Sequence, residues 1–178
     1  SSQAAGLTVS TGVSTGASQA TAMVSPAVTA YVGGSNSGIT AENLTVAATL
    51  HVPTNPETAR AFAIGSTGGL LIGVDATVTS ATTTADVTSY VADNTTLHIT
   101  GTMAVTAESS ARQKANSNSN AGGLLAAGFS KAVASSTSHT TAHLGDHVTL
   151  NDADNRRGAL TLTADGVDHN YATTTAGS

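Results

Sequence analysis

The chain has 178 residues, a length that suits one domain, and its formal net charge is −5. Only 10% of the residues are charged and 3% are aromatic, and there is no cysteine, which excludes disulfides, thiolate catalysis and cysteine-based zinc sites. Six lysines and arginines against eleven acidic residues leave no basic footprint for nucleic acid. The sequence contains no run of 18 apolar residues, so no membrane-spanning helix is predicted. Residues 1–6 lack the basic and apolar regions of a signal peptide, so none is predicted there.

One block of sequence occurs three times along the chain. Each copy opens on an aromatic residue or a histidine, then an aliphatic residue and a turn-prone pair, and it closes on an alternating apolar triplet. The openings are Tyr31-Val32-Gly33-Gly34, Tyr90-Val91-Ala92-Asp93 and His143-Leu144-Gly145-Asp146, and the triplets are Leu44/Val46/Ala48, Met103/Val105/Ala107 and Leu160/Leu162/Ala164. Opening and triplet lie 13 residues apart in two copies and 17 apart in the third, which indicates an inserted loop near residues 155–158.

A second block links the three copies. Gly68-Gly69-Leu70-Leu71 matches Gly122-Gly123-Leu124-Leu125, and Ala5-Gly6-Leu7 is a weaker third match. The alignment gives periods of 59, 53 and 66 residues, which we interpret as one segment of three imperfect repeats at about 1–58, 59–115 and 116–178. On this alignment a second copy placed after Ser178 would bring its Leu7 into phase. We therefore expect a tandem unit of a longer chain or a subunit that stacks head to tail.

Inside each repeat, apolar residues alternate with polar ones at a period of two, which is typical of strands. In chain order the predicted strands include residues 44–48, 76–80, 86–91 and 160–164, with turn signals at 33–34, 93–94, 145–146 and 165–166. Residues 107–115 are the best helix candidate, but they have no apolar face. We interpret them as polar strand or loop.

Repeats of this kind need neighbours to bury their inward face, and stacked coils supply them. The sequence therefore predicts an all-β fold, a flattened parallel β-solenoid. A repeat of about 59 residues is long for one coil, so we expect about two coils of roughly 25–30 residues in each repeat. An antiparallel β-sandwich is the alternative, although the scarcity of large side chains makes a self-contained core harder to fill.

Three phrases, Leu-Thr-Val-Ala-Ala (44–48), Gly-Gly-Leu-Leu-Ala-Ala-Gly (122–128) and His-Leu-Gly-Asp-His-Val-Thr-Leu (143–150), resemble repeats of large bacterial surface proteins. These are the filamentous haemagglutinin-like and leukotoxin-type filamentous adhesins and related autotransporter passengers. The resemblance covers most of the chain. It implies a parallel β-solenoid and an export route, and it carries over no catalytic or binding residues.

Candidate metal ligands lie in the third repeat. His139, His143 and His147 recur every four residues, but the surrounding residues favour strand and turn, where positions four apart lie about 13 Å apart. His143 also occupies the position of the tyrosines in the other repeats, which suggests a packing or stacking position. An oxygen-rich run is formed by Asn151, Asp152 and Asp154. It predicts either a calcium site or a turn that these side chains cap.

The function expected from these observations is structural. We predict no enzyme, no catalytic residue and no cofactor other than the possible calcium ion. The chain is expected to be a segment of an extracellular or cell-surface filament or adhesin that associates with itself or continues in a longer chain, with host or surface glycans as possible partners. The alternative is a glycan-binding or ice-binding solenoid whose flat face carries Thr-x-Thr pairs such as Thr77/Thr79. That ladder is broken, because Thr161 and Thr163 align with Ala104 and Thr106 and then with Thr45 and Ala47.

Overall fold

The computed structural model describes residues 1–51, 57–150 and 159–178, and these form strands, turns and no helix. The strands are β1 Ser2–Ser10, β2 Val13–Val24, β3 Ala27–Val32, β4 Gly38–Ala41, β5 Leu44–Leu50, β6 Ala59–Gly69, β7 Ile72–Val91, β8 Thr96–Ile99, β9 Met103–Gly122, β10 Leu125–Leu144, β11 Thr149–Leu150 and β12 Leu160–Gly177. Residues 107–115 lie within β9. The interpretation of this segment as polar strand or loop rather than helix is therefore confirmed, and the segment is strand.

The strands form three sheets. Sheet A has the order β1-β6-β9-β12, with β5 also paired to β9; sheet B has the order β10-β7-β2, with β3 also paired to β7; sheet C has the order β11-β8-β4. All strand pairs among the described residues are parallel. The prediction of an all-β fold with parallel strands is confirmed, and the antiparallel sandwich is wrong. Apart from the consecutive strands β2 and β3 in sheet B and β5 and β6 in sheet A, the chain passes through the other two sheets before it returns to a sheet, so neighbouring strands run the same way.

The chain visits sheets B, C and A in a fixed order, and we call one such visit a circuit. Paired residues are 59 positions apart between Tyr31 and Tyr90 and 53 apart between Tyr90 and His143. These are the first two sequence periods, so one repeat makes one circuit. The expectation of two coils per repeat is wrong, because β7 and β9 each have 20 residues and take up the length that two short coils would need.

The register corrects the alignment at the start of the chain. Leu7 pairs with Ser66 rather than lying in the position of Leu70, so the match of residues 5–7 to the Gly-Gly-Leu blocks is wrong. Through successive pairs, Ser2 occupies the position of Ala172 in sheet A. The expected phase of a second copy placed after Ser178 depends on Leu7 matching Leu70, so that phase is wrong as well.

Sheets A and B face each other across an interior of small side chains. In β6, β7 and β9 every second residue is buried, as expected when alternate residues point to opposite faces. The buried residues of the three strands include Ala59, Ala61, Ala63, Thr77, Thr79, Ala81, Ala85, Ala111, Ala115, Ser117 and Ser119. Larger apolar side chains gather beside sheet C: Val46, Val91, Leu97, Ile99, Met103 and Val105. The interior is therefore wider at sheet C than along the alanine rows.

Serine hydroxyls connect the two sheets directly. In three places a serine donates to a backbone carbonyl of the opposite sheet: Ser89 to Val46 (2.8 Å), Ser119 to Asp75 (3.2 Å) and Ser130 to Thr175 (2.7 Å). Ser117 Oγ also donates to Thr77 Oγ1 at 2.6 Å. A side chain with one oxygen beyond Cβ reaches the opposite backbone only if the sheets lie very close together. Small residues at the remaining inward positions permit this approach.

Asp75 is an exception among these small residues, since it is 1% exposed. Its neighbours in the inward row of sheet B are Gly16 and Gly128. A Cβ at Gly16 would lie 2.8 Å from Asp75 Oδ1, and a Cβ at Gly65 in sheet A would overlap the carboxylate. Among the described residues, Asp75 Oδ2 has no hydrogen-bond partner. Glycines thus provide space for a carboxylate of which one oxygen, Oδ2, has no hydrogen-bond partner among the described residues.

The turn that follows sheet B repeats in each circuit. Asn36, Asn94 and His147 take equivalent places in it, and all three have a φ between 55° and 58°. Asparagine tolerates this left-handed conformation better than most residues. Gly33 lies just before the first of these turns and has a φ of +95°.

We predict that Gly33→Ala lowers the free energy of unfolding by about 1–3 kcal/mol, because alanine is strained at this φ. Its Cβ would also collide with the side chain of Thr95. Urea unfolding measures the change. The matched control is Gly34→Ala, where a Cβ meets nothing within 4 Å, and we expect it to alter stability by less than about 0.5 kcal/mol. Equal losses in both variants would contradict the assignment of strain to Gly33.

We predict that Asp75→Ala raises the free energy of unfolding by about 1–3 kcal/mol, because it removes a buried carboxylate oxygen that has no hydrogen-bond partner among the described residues. Thr77→Ala, one inward position further along β7, is the comparison. It removes the acceptor of Ser117 and should lower stability by about 1 kcal/mol. Urea unfolding at neutral pH measures both, and a destabilised Asp75→Ala protein would show that the carboxylate has a partner.

Candidate functional site

A row of three stacked rings lies on the outer face of sheet B. Tyr31, Tyr90 and His143 occupy paired positions on β3, β7 and β10. The ring centroids of Tyr31 and Tyr90 are 5.4 Å apart with an interplanar angle of 14°, and those of Tyr90 and His143 are 5.2 Å apart at 9°. We call these three residues the ring ladder. The prediction that His143 takes a stacking position equivalent to the tyrosines is confirmed.

The parallel register creates this ladder. Neighbouring strands lie about 4.8 Å apart, which is close to the stacking distance of aromatic rings, so equivalent side chains on one face stack without rearrangement. Tyr90 has a ring on either side. Tyr31 is 62% exposed, and His143 lies at the other end of the ladder. Each end ring therefore has one face that no other described ring covers.

A shallow cavity of about 400 Å³ opens beside the ring ladder. It is lined by Gly34, Ser35, Tyr90, Ala92, Asp93 and His143. The Asp93 carboxylate is used by the turn itself, since Oδ1 accepts a hydrogen bond of 2.7 Å from the backbone N–H of Asp146. The cavity lies between the rings of Tyr90 and His143 and the residues of the turns. Because the carboxylate that lines it is already hydrogen-bonded, the cavity suits contact with another surface better than acid–base chemistry.

The three histidines do not converge. His139 and His143 are both exposed on β10, four positions apart, and His147 lies in the following turn with a φ of 56°. Among residues 1–51, 57–150 and 159–178, no group of three histidine, aspartate or glutamate side chains is placed to hold a metal ion. The calcium candidates Asn151, Asp152 and Asp154 lie outside the described residues.

The threonine rows differ from the predicted binding face. Thr77 and Thr79 point inward and are at most 1% exposed, so their assignment to an outward face is wrong. The broken row is confirmed, since Thr161 and Thr163 pair with Ala104 and Thr106, which pair with Thr45 and Ala47. An unbroken outward row consists of Thr29, Thr88 and Thr141. This row was not predicted from the sequence, although it lies two positions before the ring residues in every repeat.

Among the described residues, both edges of each long sheet have no further strand paired to them. In sheet B the edge strands are β10 on one side and β2 with β3 on the other. In sheet A they are β12 on one side and β1 with β5 on the other. Leu160 and Leu162 of β12 are 40% and 42% exposed, whereas their β9 partners Met103 and Val105 are 3% and 0% exposed. An unpaired strand edge is a template for a further strand, and here it is accompanied by uncovered apolar side chains.

No protein family, curated protein or solved structure matches this chain. The described residues also contain no helix that is long and apolar enough to cross a membrane. The ring ladder and the open edges are therefore the observations from which a function is inferred.

We predict that Tyr90→Ala lowers the free energy of unfolding by about 1–3 kcal/mol, because two stacking contacts are lost at once, each worth about 0.5–1.5 kcal/mol beyond burial. Tyr90→Phe keeps the ring and is the control, for which we expect a change below about 0.5 kcal/mol. Thermal or urea unfolding measures both. Equal stability of the alanine and phenylalanine variants would mean that the ladder contributes nothing to the fold.

Proposed function

We propose that this chain is a segment of a parallel β-solenoid with a structural role in an extracellular or cell-surface filament or adhesin. In this proposal the circuits continue past the open edges, either in a longer polypeptide or in further copies of the chain. The protein acts as a scaffold and not as an enzyme.

The proposal rests on the edges of the long sheets. Among the described residues both edges are unpaired, and rows of equivalent side chains extend in register up to them. The Tyr31–Tyr90–His143 row runs from one edge strand of sheet B to the other. The inward face of β12 at Leu160 and Leu162 is only half covered. A further circuit would cover these side chains and would pair the free backbone groups of the edge strands. Addition of circuits perpendicular to the strands is therefore favourable.

The character of the surface supports an exposed, extended role. Charged residues are 10% of the sequence, and the outward positions of sheet B carry many threonines and serines. Equivalent side chains form rows that run from strand to strand, perpendicular to the strand direction. Among the described residues, these rows do not bring polar side chains together into one compact site. Segments 44–48, 122–128 and 143–150, which resemble repeats of bacterial filamentous adhesins, lie on or beside β5, β10 and β11.

The test is self-association of the purified chain. We expect light scattering to rise with protein concentration and negative-stain microscopy to show unbranched fibres with strands perpendicular to the long axis. Fibre diffraction should give a meridional spacing of about 4.8 Å. A monodisperse monomer that stays stable across the concentration range would contradict the proposal.

A further inference from the structure

We infer that a second copy of this chain docks on the β10 edge of sheet B in one defined register, with its β2 and β3 running parallel to β10. In that register Thr29 of the second copy lies beside Thr141, and Tyr31 of the second copy stacks on His143. The inference rests on the proposed function and specifies both the partner and the contact.

The inward rows of the two edge strands match. β2 and β10 both carry Gly-x-Ser-x-Ala-x-Ala, at residues 16–22 and 128–134, whereas β7 between them has Asp75, Thr77, Thr79 and Ala81 at these positions. The same inward match recurs further along, at Ala30 and Ala142, which both pair with Ser89. Docking β2 on β10 therefore places glycine on glycine, serine on serine and alanine on alanine. The interior beside β10 already has the width that these residues require.

The outward rows also continue across the contact. Thr29, Thr88 and Thr141 form an unbroken row, so a second copy would extend it with another threonine. The ring ladder ends at His143, whose open face lies where the next strand would place a ring, about 4.8 Å away. Tyr31 is the residue of the second copy that reaches this position. The stacking geometry would repeat that of Tyr90 on His143, which has an interplanar angle of 9°.

Apolar side chains at the edge gain the cover that they lack. Met103 and Val105 are buried because β9 lies against both β7 and β10 of sheet B. Leu160 and Leu162 take the same places on β12, which packs mainly against β10 of sheet B. In the docked arrangement β3 of the second copy becomes the missing strand. Its Val28 and Val32 face inward, as they do in the wide apolar part of the interior.

Docking has one geometric requirement. In the second copy β1 is joined to β2 by Thr11 and Gly12 alone, so β1 would arrive on β9 together with β2 on β10. Ser2 and Ala115 both pair with Ala61, and Ala115 pairs with Ala172. The first strand of the second copy and residues 172–177 are therefore alternatives for one place on β9. Assembly exchanges one for the other, so its net stabilisation comes from the new rows of sheet B.

Engineered cysteines test the register, since the chain has no native cysteine. In the double variant Thr29→Cys/Thr141→Cys, the two positions of one copy flank Thr88 and are about 9.6 Å apart, too far for a disulfide within the copy. Between docked copies they are direct neighbours at about 4.8 Å. We expect mild oxidation to give covalent dimers and longer multimers on a non-reducing gel.

The matched control is Thr29→Cys/Thr137→Cys, which moves the second cysteine four positions along the outward face of β10, about 13 Å away. It should cross-link at least tenfold less. If neither variant cross-links while light scattering still shows fibres, the inferred register is wrong and the filament proposal stands. If cross-links and fibres are both absent, both are wrong. Equal yields in the two variants would mean that association has no defined register.

Two prolines introduced into the Thr29→Cys/Thr141→Cys background test the exchange. Thr174→Pro weakens the pairing of residues 172–177 with β9, and we expect severalfold more cross-linking because the site becomes available. Thr161→Pro disturbs the part of β12 that remains in place, and it should leave the yield unchanged or lower it. A lower yield with Thr174→Pro would overturn the exchange.

Discussion

The close approach of sheets A and B is the constraint on which the rest of the structure depends. Serine hydroxyls reach backbone carbonyls of the opposite sheet at 2.7–3.2 Å, so no inward position near them has space for a large side chain. This explains a composition that would suit a globular core poorly, with 3% aromatic residues and abundant alanine, serine, threonine and glycine. The carboxylate of Asp75 is accommodated because Gly16 and Gly65 carry no Cβ that would collide with it. Cohesion therefore depends on ladder hydrogen bonds and a thin, closely packed interior.

The sequence predicts the strands and much of the register, for reasons that particular residues make clear. The Tyr31, Tyr90 and His143 openings and the Leu44, Met103 and Leu160 triplets each mark a position that recurs once per circuit, and all of them pair as aligned. The number of circuits per repeat is not encoded in that recurrence. A long strand such as β7 and two short strands separated by a turn give the same alternation of residues. The match at Leu7 was wrong because a short Gly-Leu pair recurs easily in a glycine-rich chain.

The candidate site could be predicted only in part. His143 was expected to stack because the alignment places it with tyrosines. The inward orientation of Thr77 and Thr79 was not predictable, because threonines lie on both faces of β7 among alanines and valines and neither face is clearly more polar. The matching rows of β2 and β10 were hidden for a different reason. They become visible only when both strands are registered against β7, and β7 itself carries different residues.

The pairing of residues that lie 53 to 59 positions apart has a consequence for how the protein acquires its structure. No sheet contact forms until the chain has closed a loop of that length, so the first circuit is entropically costly and slow to nucleate. Once it exists, its edge orients the next strand, and each later circuit needs only to align with a surface that is already ordered. Folding should therefore show a lag that a preformed edge shortens. For such a chain, the folding of one molecule and the growth of an assembly proceed by the same step.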